Sequence, residues 1–393
     1  MGEEKTGKGR KRGVGTIVTE AGRAPARHFG FVNPPVYRGS TILFPTVEAL
    51  ETLNQPYTYG TKGTPTTRAL ETAWTEIAGA ADTVLTPSGL AAIDLALLTA
   101  TQAGAHILVT DSAYQPTRAF CDGVLKRFGV ETEYYDPLIG GDIAARIRPE
   151  TTAILVESPG SQSMEIQDTP AIAAAAHAHG LCVILDNTWA TPLLFPPHER
   201  GADLVVEAGT KYLSGHSDVL LGLVSANAQW AKRLRSVFNA FAIGVSPDDA
   251  SLALRGLRTM HLRLREQGGA ALALATWLAA RPEVARVLHP ALPDHPGHAL
   301  WKRDFLGASG VFSVILHPAP KAAVDAFVNG LTHFGIGFSW GGFESLILPF
   351  DCAPYRTATT WTPEGPALRF SVGLEDLEDL KADLEAGFMR LCG

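Results

Sequence analysis

The chain has 393 residues, 46% of them hydrophobic and 19% charged, with a formal net charge of −7. That length accommodates two packed domains and a large core, while the mild acidity excludes nucleic acid and anionic membranes as expected partners. No apolar stretch approaches the roughly 20 residues of a membrane span, and the four cysteines, at 121, 182, 352 and 392, show no paired spacing, which fits reduced thiols in a cytoplasm.

Residues 1 to about 60 are rich in Gly, Pro and polar side chains and read as an extended arm. Its basic cluster, Lys5, Lys8, Arg10, Lys11 and Arg12, reads as a loose terminus. No apolar stretch follows it, so no secretory leader is expected. From about residue 64 the pattern alternates. Helices are predicted over 66–79 and 89–101, the second with Leu90, Ile93, Leu97 and Leu98 near one face. Apolar runs at 106–110, 153–157, 181–185 and 204–206 predict buried strands, with an Ala-rich helix at 170–179. Strand, helix, strand in succession implies a largely parallel sheet covered by helices on both faces. Ligands of such sheets sit beyond the carboxyl ends of the strands. Asp111, Glu157 and Asp186 all fall at those ends, which is where the site is expected.

A second unit is expected from about Gly256, with a long helix over 257–281, a strand over 311–316 and a final helix over 375–390. The chain thus divides into an arm (1–62), a large unit (63–256) and a small carboxyl-terminal unit (257–393).

Lys211 follows soon after the apolar run that ends in Asp186. An amine able to condense with an aldehyde and a carboxylate able to hold a pyridinium nitrogen are the minimum for pyridoxal phosphate (PLP) chemistry. Either residue alone is commonplace, as a solvated lysine or a turn-forming aspartate. A Ser88-Gly89 turn opening a helix adds an anion site, because first-turn N–H groups are free and glycine permits close approach. His177, His179 and His216 have no third ligand in view, and no metal site is expected.

The strings around these residues resemble the Cys/Met-metabolism family of PLP enzymes. They are Asp186-Asn187-Thr188-Trp189-Ala190-Thr191-Pro192 and Thr210-Lys211-Tyr212-Leu213-Ser214-Gly215-His216-Ser217-Asp218, and the likeness runs from about Asn33 to Asp376. The resemblance implies an α/β fold of PLP fold type I, like aspartate aminotransferase, with a large mostly parallel-sheet domain and a smaller carboxyl-terminal one. It implies Lys211 as the cofactor-bearing and proton-moving amine and Asp186 beneath the ring nitrogen. Tyr114 would stack on the ring, while Gly89, Leu90 and Thr210 would hold the phosphate. Arg369 would grip the substrate carboxylate, with Ser339 and Trp340 lining the same pocket. Tyr59, helping Lys211 with the Cα proton, and with it Lys62 as a positive charge for the cofactor, would reach into the site of a neighbouring subunit, in a dimer commonly paired into a tetramer.

Two positions depart from the family pattern. Thr61 stands where relatives carry an arginine, and Gly209 where many carry a serine, so phosphate contacts are expected to be fewer or retuned. A point charge at Lys62 does not replace a bidentate guanidinium. The strings 157–165 and 339–346 resemble the β-lyase branch rather than the γ-acting one. The implied reaction is β-elimination of L-cystathionine, an amino-acid thioether, to homocysteine, pyruvate and ammonia in methionine biosynthesis. Three alternatives are a carbon–sulfur lyase of other cysteine conjugates or cysteine itself, a γ-acting enzyme, and a catalytically weak PLP-binding protein.

Overall fold

In the computed structural model, which describes residues 12–392, the alternating pattern becomes two sheets. The large sheet has seven strands: β1 (Asp82–Thr86), β2 (His106–Thr110), β3 (Glu131–Tyr135), β4 (Thr151–Glu157), β5 (Cys182–Asp186), β6 (Leu204–Glu207) and β7 (Gly222–Ala226). Their spatial order is β1-β7-β6-β5-β4-β2-β3. Only β7 runs antiparallel to its neighbours; the pairs from β6 to β3 are parallel.

Both faces of this sheet are covered, which is why its central strands read as unbroken apolar runs. Along β5 the side chains divide by parity. Cys182 and Ile184 join the cluster under helix Gly89–Ala100, and Val183 and Leu185 join the one containing helix Thr169–Ala178. Three strands had no sequence expectation. β1 and β7 are short and lie next to turn residues, and β3 is a polar edge strand, Glu-Thr-Glu-Tyr-Tyr, of the kind that discourages edge pairing.

The small sheet contains β8 (Val284–Leu288), β9 (Val311–Leu316), β10 (Phe334–Ile336), β11 (Ser345–Phe350) and β12 (Ala367–Ser371), in the order β10-β11-β12-β9-β8. β9 is buried on both faces. Phe312, Val314 and Leu316 pack with Phe327 and Phe388 from the helices beyond, while Val311 and Ile315 share a cluster with the large sheet. The Trp189 indole donates to the Val311 carbonyl at 2.9 Å and ties the two sheets together.

The helix expected from residue 257 begins ten residues earlier. Helix Pro247–Ala279 is continuous through the 256/257 division, and the Ser246 hydroxyl caps it by accepting from the Asp248 N–H at 3.2 Å. The opening Pro-Asp-Asp suits a first helical turn, although polarity there hid it from a reading based on apolar spacing. Gly256 is needed inside it: a Cβ there would stand 2.2 Å from the Ser214 carbonyl oxygen. The long helix thereby presses directly against the loop that carries Lys211.

The arm is less extended than expected. Helix Val14–Glu20 packs on the long helix, with the Arg258 guanidinium donating to the carbonyls of Val18 and Ala21 at 2.8 and 2.9 Å. Burying Val18 contributes about 1.5–3 kcal/mol, enough to hold a short helix that would not persist alone. Farther along, the arm exposes Phe29, Leu43 and Val47. Most of the basic cluster, Lys5 to Lys11, lies outside the described residues, and among those described no helix is long and apolar enough to cross a membrane.

Candidate active site

A cavity of about 250 Å³ opens at the carboxyl ends of β4 and β5, between the two sheets. Gly89, Leu90, Tyr114, Asp186, Thr210, Lys211, Trp340 and Arg369 all line it, so eight of the sequence-predicted residues meet in one place.

Lys211 sits in the turn that follows β6, where its amide bonds the Ala208 carbonyl at 2.9 Å. Its Nζ donates to the Ser339 hydroxyl at 2.8 Å and lies 5.2 Å from the centre of the Trp340 ring. Burial lowers this amine to about 8, and the nearby Arg369 cation adds to the effect, against a smaller pull from Asp186. An amine so placed is largely poised to give and take protons near neutrality.

Asp186 ends β5 directly opposite Glu157 at the end of β4. One oxygen of Asp186 accepts from the Thr188 N–H at 3.0 Å and the Thr188 hydroxyl at 2.6 Å, which leaves the other for a ligand. Burial raises Asp186 above the ordinary carboxylate range despite those bonds. Glu157 is raised further, by burial first and by Asp186 second. A desolvated carboxyl pair with no cation bonded to it among the described residues calls for a positive partner. A pyridinium N–H is such a partner.

Tyr114 is half-exposed, and its amide donates to Glu157 Oε2 at 2.7 Å. Sequence reasoning placed Glu157 at a strand end but missed that it anchors the Tyr114 backbone. The readable signal was its parity with Asp186 on the neighbouring strand. Across the cavity, Ser88 caps the helix by accepting from Ala91 N–H at 3.1 Å, leaving the first-turn N–H groups of Gly89 and Leu90 for an anion.

Arg369, buried in β12, donates through one nitrogen to the carbonyls of Gly337, Phe338 and Ser339 at 3.2, 3.0 and 3.0 Å. Three carbonyls hold that edge, while Nε has no partner among the described residues. A carboxylate suits the free edge.

The structure places the remaining residues as follows. Thr210 lines the cavity, but its hydroxyl donates to the Leu221 carbonyl at 3.1 Å and accepts from the Leu221 amide at 3.0 Å, so its proton is engaged by backbone. Gly209 does not leave a gap: a Cβ there would meet Leu223, Leu213 and Leu221 side chains at 2.9 to 3.1 Å. Asp111 is a structural anchor rather than a site group. Arg118 Nη1 donates to it at 2.9 Å, and Thr357 N–H, Thr359 N–H and the Thr359 hydroxyl donate at 3.0, 2.8 and 2.6 Å. Burial alone would raise that carboxyl, yet the bonds from Thr357 and Thr359 outweigh it and hold it low. Tyr59 and Lys62 lie outside this cavity in their own chain. Tyr59 is exposed, and Lys62 lines a separate small pocket with Phe238 and Ile243. His216 Nδ1 pairs with the Ser214 carbonyl oxygen at 2.6 Å, within its own loop.

The family model described as "Cys/Met metabolism PLP-dependent enzyme" matches residues 15–389. A Rhizobium johnstonii protein provisionally named cystathionine beta-lyase is 52% identical over 380 residues, covering 96% of each chain. The cystathionine beta-lyase of Salmonella typhimurium is 42% identical over 389 residues, covering 96% of this chain and 98% of that one. Among solved structures, cystathionine gamma synthase from Xanthomonas oryzae, in complex with aminoacrylate and cysteine, superposes with a TM-score of 0.89. It is 34% identical, covering 97% of this chain and 99% of that one. The chain belongs to the Cys/Met-metabolism family of PLP-dependent enzymes. Its fold is that family's α/β fold, and PLP is its cofactor.

Proposed function

We propose that this protein is a carbon–sulfur lyase that cleaves L-cystathionine by β-elimination, giving homocysteine, pyruvate and ammonia. The observation that carries the reading is the contact of Lys211 Nζ with Ser339 Oγ, in a cavity that also holds Asp186 and Arg369. The likeness of strings 157–165 and 339–346 to β-lyases supports it, as do the names of the relatives at 52% and 42% identity.

When bound, PLP supplies an aldehyde for the substrate amine and an electron sink for charge that develops at Cα. Gly89 and Leu90 would hold its phosphate, Asp186 its ring nitrogen and Tyr114 its ring face. Arg369 fixes the substrate carboxylate through its free edge and so sets the orientation of the Cα–H bond. Lys211 Nζ, held by Ser339, takes the Cα proton. Asp186 stays ionised against the ring's positive charge. As the Cβ–S bond breaks, the thiol leaves with a proton, and one water completes pyruvate and ammonia.

Tyr59 and Lys62 act, in this reading, from a second copy of the chain, which would also cover the apolar arm. We place the enzyme in the cytoplasm as a homo-oligomer, and take 1–62, 63–256 and 257–393 as its functional divisions. The keto acid formed from L-cystathionine by the PLP-loaded protein tests the reaction. Pyruvate is expected, whereas 2-oxobutanoate would move the enzyme to the γ branch.

A further inference from the structure

Three carboxyls end three adjacent parallel strands: Glu157 on β4, Asp186 on β5 and Glu207 on β6. The first two line the cavity and Glu207 does not. Glu207 is nevertheless fully buried, and neither of its carboxyl oxygens has a partner among the described residues. An unpaired ionised carboxylate is strongly disfavoured in such a place, so the group stays protonated and needs an acceptor. Burial, and after it Asp186, raises this carboxyl well above the ordinary range.

One acceptor is adjacent. Asn187 N–H donates to the Val206 carbonyl at 3.0 Å, which carries the β5–β6 ladder one residue past Asp186 and Val206. That register sets Asn187 and Glu207 side by side, on the face shared by Leu185 and Val205 and turned away from the cavity. The Asn187 side-chain amide donates to the Phe195 carbonyl at 3.2 Å, while its Oδ1 is buried with no partner among the described residues. A proton donor without an acceptor thus neighbours an acceptor without a donor.

This junction carries both groups assigned to the cofactor. On its cavity side Ala208 N–H donates to the Thr188 hydroxyl at 2.9 Å, and that hydroxyl donates to Asp186 at 2.6 Å. The Ala208 carbonyl then takes the Lys211 amide at 2.9 Å. We propose that Glu207 is a positioning residue: as a neutral acid it donates to Asn187 Oδ1 and clamps the two strand ends from behind, so that Asp186 and Lys211 keep their spacing. The proposal rests on those two residues holding PLP and is independent of which thioether is cleaved.

The test compares Glu207→Gln, whose amide still donates, with Glu207→Met, which fills the space and donates nothing. It reads kcat and KM for L-cystathionine, the Kd of PLP, and the circular dichroism of bound PLP. The Gln variant should stay within about threefold of wild type throughout. The Met variant should lose about tenfold in kcat with KM little changed, bind PLP about tenfold more weakly and show an altered dichroism band, the scale expected for one buried acceptor left unpaired. Asn187→Val should behave like the Met variant, and the double variant should be no worse than either single one. A Gln variant as impaired as Met would overturn the proposal, because charge rather than a donor would then be required. So would a melting temperature raised by K⁺ over tetramethylammonium in wild type but not in Glu207→Gln, which would put a cation on an ionised Glu207. A Met variant that only melts earlier, with kcat, Kd and dichroism unmoved, would reduce Glu207 to packing and overturn it too. If wild type forms no pyruvate, the β-elimination reading fails, and the PLP Kd and dichroism still decide this one.

Discussion

Lys211 Nζ and Ser339 Oγ meet at 2.8 Å across the junction of the two sheets. The residue before Trp340 therefore does two things. Its hydroxyl receives the lysine amine, and its carbonyl receives Arg369 at 3.0 Å. One short loop aligns the proton-moving group with the carboxylate grip.

Ser339→Ala should thus lower kcat/KM about tenfold or more, matching the 1.5–3 kcal/mol typical of a hydrogen bond to a charged group. Ser339→Thr, which keeps a hydroxyl, should recover part of the loss. Steady-state kinetics of both variants, with heat stability as a control, checks this.

The Lys211 amine, lowered to about 8 in the fold, makes the cofactor-free protein pH-sensitive in a definite direction. Between about 8 and the ordinary lysine value the unfolded chain binds more protons, so stability rises with pH across that window. Lys211→Met removes the group. The cofactor-free variant should therefore melt above wild type at pH 7, and the gap should narrow toward pH 10.5. Melting curves at several pH values decide it.

Asp186 is raised by burial, and Glu157 by burial first and then by Asp186. A carboxyl raised in the fold binds protons there that the unfolded chain has released, so its ionisation destabilises the empty protein as pH rises past the ordinary carboxylate value. Asp186→Asn should stabilise the cofactor-free protein at pH 7. It should also reduce kcat about a hundredfold or more, because a neutral amide does not hold a ring proton.

Gly209→Ser tests whether the missing serine is a lost phosphate contact or a packed position. With Leu223, Leu213 and Leu221 within 3.1 Å of the new Cβ, the substitution should cost about 1–3 kcal/mol of stability. PLP affinity should not improve.

Tyr59 lies outside its own chain's cavity, so two inactive variants should complement each other. Lys211→Ala and Tyr59→Ala chains, unfolded together and reassembled at equal amounts, should recover about a quarter of wild-type activity, because half the dimers are mixed and each mixed dimer has one intact site. Recovery of none would place Tyr59 outside the shared site.

Much of this was legible before the structure. Lys211, Asp186 and the Ser88-Gly89 turn are close to strand ends or helix starts, where local spacing reports position directly. Arg369 and Ser339 reach the same cavity from more than 100 residues away, and only the family strings pointed to them. What stayed hidden depended on tertiary contacts. Asp111 ends a strand just as Asp186 does, yet Thr357 and Thr359 claim it. The long helix begins at Pro247 rather than 257 because its first turns are polar and capped. Thr210 loses its hydroxyl to the Leu221 backbone, a pairing that no sequence pattern announces.

The most direct measurement gives L-cystathionine to PLP-loaded wild type and to Lys211→Ala, and counts pyruvate, homocysteine and ammonia together. Wild type should release the three in equal amounts while the variant, folded and still holding PLP, releases none above background. Pyruvate formed by the variant at the wild-type rate would contradict the role of Lys211 and with it the mechanism.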